Sequence, residues 1–124
     1  MFFAYWMILA AAFLPYVATV YSKRGDVDNH APRQYATTLT GARRRADWAQ
    51  QNGFESFPAF AAAVVVAGIA GAAHPVMNWL TGTYIALRII YTFAYISDRA
   101  TLRSIVFSLS AACVLGLFVA AGLA

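Results

Sequence analysis

FESFPAFAAAVVVAGIAGAAHPVMNWLTGTYIALRIIYTFAYI, from Phe54 to Ile96, is the stretch that decides the fold. Two apolar runs meet at His74-Pro75, and only Glu55 and Arg88 carry a formal charge. A membrane span needs about 20 mostly apolar residues. Phe54 to Ala73 and Val76 to Ile96 therefore read as a tight hairpin of two spans. Working outward, Phe2 to Tyr21 and Leu102 to Leu123 are runs of the same kind. A closed barrel is the other way to cross a bilayer, but long runs without alternation do not read as strands. The expected fold is all-α, an integral membrane four-helix bundle. It forms a single domain over residues 1–124, with spans at about 2–21, 54–73, 76–96 and 102–123 and a polar loop at about 22–50.

Charge placement gives the orientation. Hydrophobic residues make up 61% of the chain and charged residues 11%, against roughly a quarter charged in a soluble domain. All nine Lys and Arg residues and all five acids fall between Lys23 and Arg103. Most lie in Lys23 to Asp47 or Asp98 to Arg103, beside spans. Basic residues in short loops mark the cytoplasmic side, so the net charge of +4 is an orientation signal and not a nucleic-acid footprint. Lys23, Arg24, Arg33, Arg43, Arg44, Arg45 and Arg99 put the first and third loops in the cytoplasm. Both termini are then expected on the non-cytoplasmic side. No basic residue precedes the first apolar run, so it reads as a retained span and not a cleaved signal.

Turn chemistry in Asp28-Asn29-His30-Ala31-Pro32-Arg33 breaks the polar loop, and Arg43 to Gln50 continues as helix into the second span. Pro15 should kink or loosen the first span. Ala67 with Gly71, Gly68 with Ala72 and Gly82 with Ala86 have the small-xxx-small spacing that lets helices approach closely. Cys113 reads as a small core residue. Trp6, Trp48 and Trp79 read as interface anchors. His30 and His74 lie in different loops, and no Cys or acid cluster has ligand spacing, so no metal site is expected.

Polar residues inside spans are the functional candidates. Helical spacing puts Trp48, Asn52 and Glu55 on one face of the second helix, with Gln51 beside them. Tyr84, Arg88, Tyr91, Tyr95 and Arg99 form a stripe on the third. Arg103 and Ser104 open the fourth. At 1.5 Å per residue, Glu55 lies roughly 5 to 10 Å inside its span and Arg88 roughly 15 Å from the cytoplasmic end. An extended Arg side chain covers the difference. A structural Glu55–Arg88 ion pair is the expectation, and Glu55→Ala should then cost more stability than Arg103→Ala. Asn52, Tyr91, Tyr95, Arg103 and Ser104 would form a polar pocket for an anionic ligand.

These residues also carry a resemblance. Gln51-Asn52-Gly53-Phe54-Glu55-Ser56-Phe57-Pro58, Arg88-Ile89-Ile90-Tyr91-Thr92-Phe93-Ala94-Tyr95 and Arg99-Ala100-Thr101-Leu102-Arg103-Ser104 resemble, in order, motifs of the membrane-associated proteins in eicosanoid and glutathione metabolism (MAPEG). The likeness covers nearly the whole chain and looks closest to short bacterial members. It implies a homotrimer in a bacterial inner membrane, with glutathione as co-substrate between subunits. The activity it implies is a transferase or peroxidase reaction on a lipophilic small-molecule electrophile arriving from the lipid. By position, Asn52, Glu55, Tyr91 and Tyr95 would bind glutathione. Arg103 would stabilise its thiolate, as a guanidinium near a thiol does, with Ser104 as an alternative donor.

The chain departs from the family pattern in three places. Trp48 and Gln51 stand where eicosanoid-forming members carry arginines for glutathione's carboxylates, which leaves Arg43, Arg44 or Arg45 as substitutes. Phe107 stands where some members have Tyr. These departures motivate an alternative: a non-catalytic protein on the same scaffold that binds membrane lipid or another anionic ligand. A four-span drug transporter is a further reading, but such proteins rely on a Glu in the first span, and this one has no charge.

Overall fold

The computed structural model describes residues 2–124. They form five helices and no strand: α1 (Phe3–Ser22), α2 (Pro32–Ala36), α3 (Gly41–Ala70), α4 (His74–Ile96) and α5 (Ala100–Leu123). By length and composition α1, α3 and α5 can each cross a membrane. α4, the expected third span, has 23 residues but does not join them on hydropathy. Asn78, Thr81, Tyr84, Arg88, Tyr91, Thr92 and Tyr95 dilute its apolar content.

α3 is the longest helix at 30 residues, about 45 Å at 1.5 Å per residue. A hydrocarbon core is about 30 Å thick. The first turns of α3, through about Gln50, therefore have no place in the hydrocarbon, which agrees with a helix that begins outside the span it feeds.

The turn between the middle helices differs from the expectation. Gly71 adopts φ +82° and closes α3, with Ala72 N–H donating to the Ala67 carbonyl at 3.0 Å. This is a Schellman-type stop, and a left-handed residue at its centre favours glycine. His74 and Pro75 are not the turn; they begin α4, where proline's missing N–H loses no helical bond. The connection is Gly71 to Ala73. Gly71 thus serves as a cap rather than as half of a packing pair with Ala67.

Small residues set the spacing of α1 against α3. A Cβ built on Gly53 would lie 2.6 Å from Pro15 Cγ, and one on Gly68 would collide with the Tyr5 hydroxyl. Between them Phe60, Ala63, Val64 and Ala67 are fully buried. Phe60 stacks on Tyr84 of α4, with ring centroids 3.9 Å apart and planes 6° from parallel. Met77, Cys113 and Leu117 complete the core from α4 and α5. α1 runs helically through Pro15. The outward faces carry large apolar side chains such as Ile69, Trp79 and Leu115, which suit lipid.

Arg43, Arg44 and Arg45 organise the polar end. Successive helical residues point about 100° apart, so each meets a different segment. Arg43 donates to the carbonyls of Ser22 and Asp26 at 2.9 and 2.8 Å. Arg44 donates to the Ala36 carbonyl at 2.6 Å, and Arg45 to the Ile96 carbonyl at 3.0 Å. The ends of α1, α2 and α4 are thereby tied to the start of α3. Within the loop, His30 N–H donates to Asp28 Oδ1 at 2.9 Å. Pro32 then opens α2, as the turn chemistry there predicts.

Candidate functional site

The stripe on α4 points inward. Tyr84, Arg88 and Tyr91 are buried, Tyr95 is half-buried and Arg99 is exposed. Facing the lower half of the stripe, α3 presents Trp48, Gln51, Asn52 and Glu55. Together with Tyr91 and Tyr95 these residues line an open groove of about 410 Å³. Helical periodicity is sufficient to make it: positions 48, 51, 52 and 55 fall on one face, as do 91 and 95.

Arg88 corrects the expected ion pair. Its Nη2 donates to Asn52 Oδ1 at 2.7 Å. The only salt bridge within 4 Å among the described residues joins Arg44 and Asp47. Glu55 is exposed in the groove. The physical reason is register. Glu55 lies three residues after Asn52 and so about 60° around the helix, and the extended Arg88 side chain runs along α3 past that level to the amide oxygen. The face of the guanidinium lies 4.1 Å from the Tyr91 ring centroid.

A connected series of rings and cations leads from this point to α5. Tyr91 meets Tyr95 edge-on, with centroids 5.7 Å apart. Arg103 lies over the Tyr95 ring at 4.6 Å. On the other side, Tyr95 and Trp48 lie 6.4 Å apart, and Arg44 sits over Trp48 at 5.1 Å. Such cation–ring contacts are worth about 0.5 to 2 kcal/mol, the larger values when water is excluded. Trp48, expected as an interface anchor, is thus a wall of the groove.

Asn52, Glu55, Tyr91 and Tyr95 are therefore brought together, and Arg103 joins them through Tyr95. Ser104 is not. It lines a separate exposed groove on α5 with Ala100, Thr101, Ile105, Ser108 and Leu109, and its carbonyl accepts from Ser108 Oγ at 3.0 Å. Adjacent helical residues diverge by about 100°, so Arg103 and Ser104 cannot both face Tyr95. Phe107 of α5 lies 6.1 Å from Tyr91, ring to ring, and brings no hydroxyl there.

The expected substitutes for the missing arginines are already engaged. Arg43, Arg44 and Arg45 all hold main-chain carbonyls. Gln51 Nε2 donates to Asp47 Oδ2 at 2.9 Å, and Arg44 Nη1 reaches the same oxygen at 3.3 Å. This buried Asp47 cluster was not singled out in the sequence. Its signal was there: positions 44, 47 and 51 have the i, i+3 and i, i+4 spacing of one helix face.

Arg88, the tyrosine stripe and the Asn52–Glu55 face, which lie far apart along the chain, meet in space. A sequence model of the MAPEG family matches residues 2–123. The chain belongs to the MAPEG family. As a MAPEG protein it is an integral membrane protein, and the match takes in all four long helices as well as the groove. Neither a curated protein nor a solved structure matches the chain. In this MAPEG protein Asn52, Glu55, Tyr91 and Tyr95, which line the groove, come from the motifs that resemble the family's, whereas Trp48 and Gln51, which also line it, depart from the pattern.

Proposed function

We propose that this MAPEG protein is a glutathione-dependent transferase or peroxidase acting on lipophilic electrophiles. In this reading it is a multi-pass homotrimer of four-helix bundles in a bacterial inner membrane. The loops around Arg24 and Arg99 face the cytoplasm, and both termini lie on the other side. The observation that carries the reading is the groove: Asn52, Glu55, Tyr91 and Tyr95 line one concave surface, and Arg103 stands over Tyr95 at 4.6 Å.

The chemistry follows from the residue types. A free thiol ionises near pH 8.5 and attacks as the thiolate. A guanidinium beside it favours that form, which is Arg103's role. Asn52 and the tyrosine hydroxyls offer hydrogen bonds to a peptide-like ligand, and Glu55 offers a carboxylate to an ammonium group. In the transferase reaction the thiolate forms a carbon–sulfur bond as the electrophile's leaving group departs or its double bond takes up the electron pair. The thiol proton goes to water or to the product. Ser104, on the neighbouring face of α5, is the alternative donor only if the ligand extends around that helix.

A second reading has its own observation. Arg43, Arg44 and Arg45 hold carbonyls, and Trp48 and Gln51 supply no cation, whereas Arg103, over the Tyr95 ring, is engaged with neither a main-chain carbonyl nor Asn52. That suits a ligand with a single anionic group, such as a lipid headgroup, bound without turnover. Calorimetry with glutathione on detergent-purified protein, wild type beside Arg103→Ala, separates the two. Saturable binding weakened in the variant supports the transferase. No binding at millimolar glutathione, with a copurified lipid that Arg103→Ala releases, replaces it with the lipid site.

A further inference from the structure

Arg88 is 5% exposed, yet its Nη1 has no hydrogen-bond partner among the described residues. Nη2 is held by Asn52, and the guanidinium face by Tyr91. A buried charged donor left bare at membrane depth is costly, and no carboxylate reaches this one.

A second group, on α1, lacks its usual helical partner. Pro15 is buried and has no N–H, so the Ala11 carbonyl lacks its usual helical donor. Ala11 and Arg88 both line one small cavity, of about 10 Å³, together with Pro15 of α1, Gly53 of α3, and Tyr84 and Thr92 of α4. That volume suits about one water molecule and is too small for a side chain or an organic ligand. Gly53 contributes by its lack of a side chain, since a Cβ there would press on Pro15 at 2.6 Å.

We propose that one water molecule occupies this cavity, accepting from Arg88 Nη1 and donating to the Ala11 carbonyl that Pro15 leaves free. The water completes the solvation of a membrane-buried cation that has no acidic partner. It also fixes the guanidinium at both ends: Nη1 to α1 through the water, Nη2 to Asn52 on α3. Asn52 lines the groove and Arg88 does not. Arg88 is thus a positioning residue, and Pro15 acts on the groove from the opposite side of the core.

The test uses the full chain in lipid nanodiscs. A high-resolution map of the wild type should show one peak about 2.7–3.2 Å from Arg88 Nη1, at hydrogen-bond distance. In Pro15→Ala the new N–H takes the Ala11 carbonyl, and the peak should vanish or move. An empty cavity in the wild-type map, or Nη1 bonded directly to a carbonyl, overturns the proposal. Solid-state NMR of the ¹⁵N-labelled protein in liposomes gives a second readout. Polarisation transfer from water to the Arg88 guanidinium should fall several-fold in Pro15→Ala, and the Asn52 side-chain amide should become less ordered. Undiminished transfer overturns the water site. Lost transfer with an unchanged Asn52 amide overturns the positioning role. Should Pro15→Ala fail to fold, the wild-type map decides alone.

Discussion

The guanidinium of Arg88 on α4 donates to the amide oxygen of Asn52 on α3 at 2.7 Å, and Glu55, one helical turn along, stays exposed in the groove. A neutral amide therefore holds the most deeply buried cation among the described residues, and the acid remains free for a ligand. This reverses the stability ranking that an ion pair would give and leads to the first prediction.

Asn52→Ala should destabilise the protein by about 1–3 kcal/mol, the cost of leaving a buried charged donor without its acceptor. Glu55→Ala should change stability by less than about 0.5 kcal/mol, as for an exposed residue without a partner. Thermal unfolding in one detergent, followed by circular dichroism, compares them. Equal losses would mean that Glu55 pairs with Arg88 after all.

Gly53→Ala should push α1 away from α3, because its Cβ would sit 2.6 Å from Pro15 Cγ. Overpacking of this kind costs about 1–3 kcal/mol. Gly122→Ala, with nothing within 4 Å of the new Cβ, is the control and should be neutral or slightly stabilising. A Gly53→Ala protein that melts with wild type would show that the α1–α3 contact is looser than described.

Arg45→Ala removes the donor to the Ile96 carbonyl at the end of α4. The loss should be local, about 1 kcal/mol, and should raise hydrogen exchange over residues 94–99 while leaving α5's interior unchanged. Exchange that rises equally throughout α5 would argue against a local tie.

Phe60→Ala should cost about 3–5 kcal/mol, as truncation of a fully buried aromatic does. It also deletes the 3.9 Å stack on Tyr84. Phe60→Leu should recover most of the loss, because it refills the volume without the ring. If Phe60→Leu melts as low as Phe60→Ala, the stack outweighs the packing.

Arg103→Lys keeps the charge beside Tyr95 but loses the planar guanidinium that lies over the ring. If Arg103 stabilises a thiolate, Arg103→Lys should retain part of the glutathione-dependent turnover and Arg103→Ala should fall at least tenfold below it. Turnover of Arg103→Ala equal to wild type would remove Arg103 from the chemistry.

The sequence by itself determined the parts that depend on local order. Runs of apolar residues long enough to cross a bilayer place the long helices, because only a helix satisfies its own backbone there. Helical periodicity places Trp48, Asn52 and Glu55 on one face and Arg88, Tyr91 and Tyr95 on another. The order of the polar motifs along the chain points to the MAPEG family. Only the tertiary structure decided who meets whom. Periodicity fixes the face of a residue but not its height against the neighbouring helix, and a shift of less than one turn takes Arg88 from Glu55 to Asn52. Nor could spacing show that Arg43, Arg44 and Arg45 would close on the carbonyls of Ser22, Ala36 and Ile96. Those acceptors are main-chain atoms that every residue carries. Which of them lies within reach depends on where α1, α2 and α4 end against the start of α3, and that is set by packing, not by any pattern in the charges.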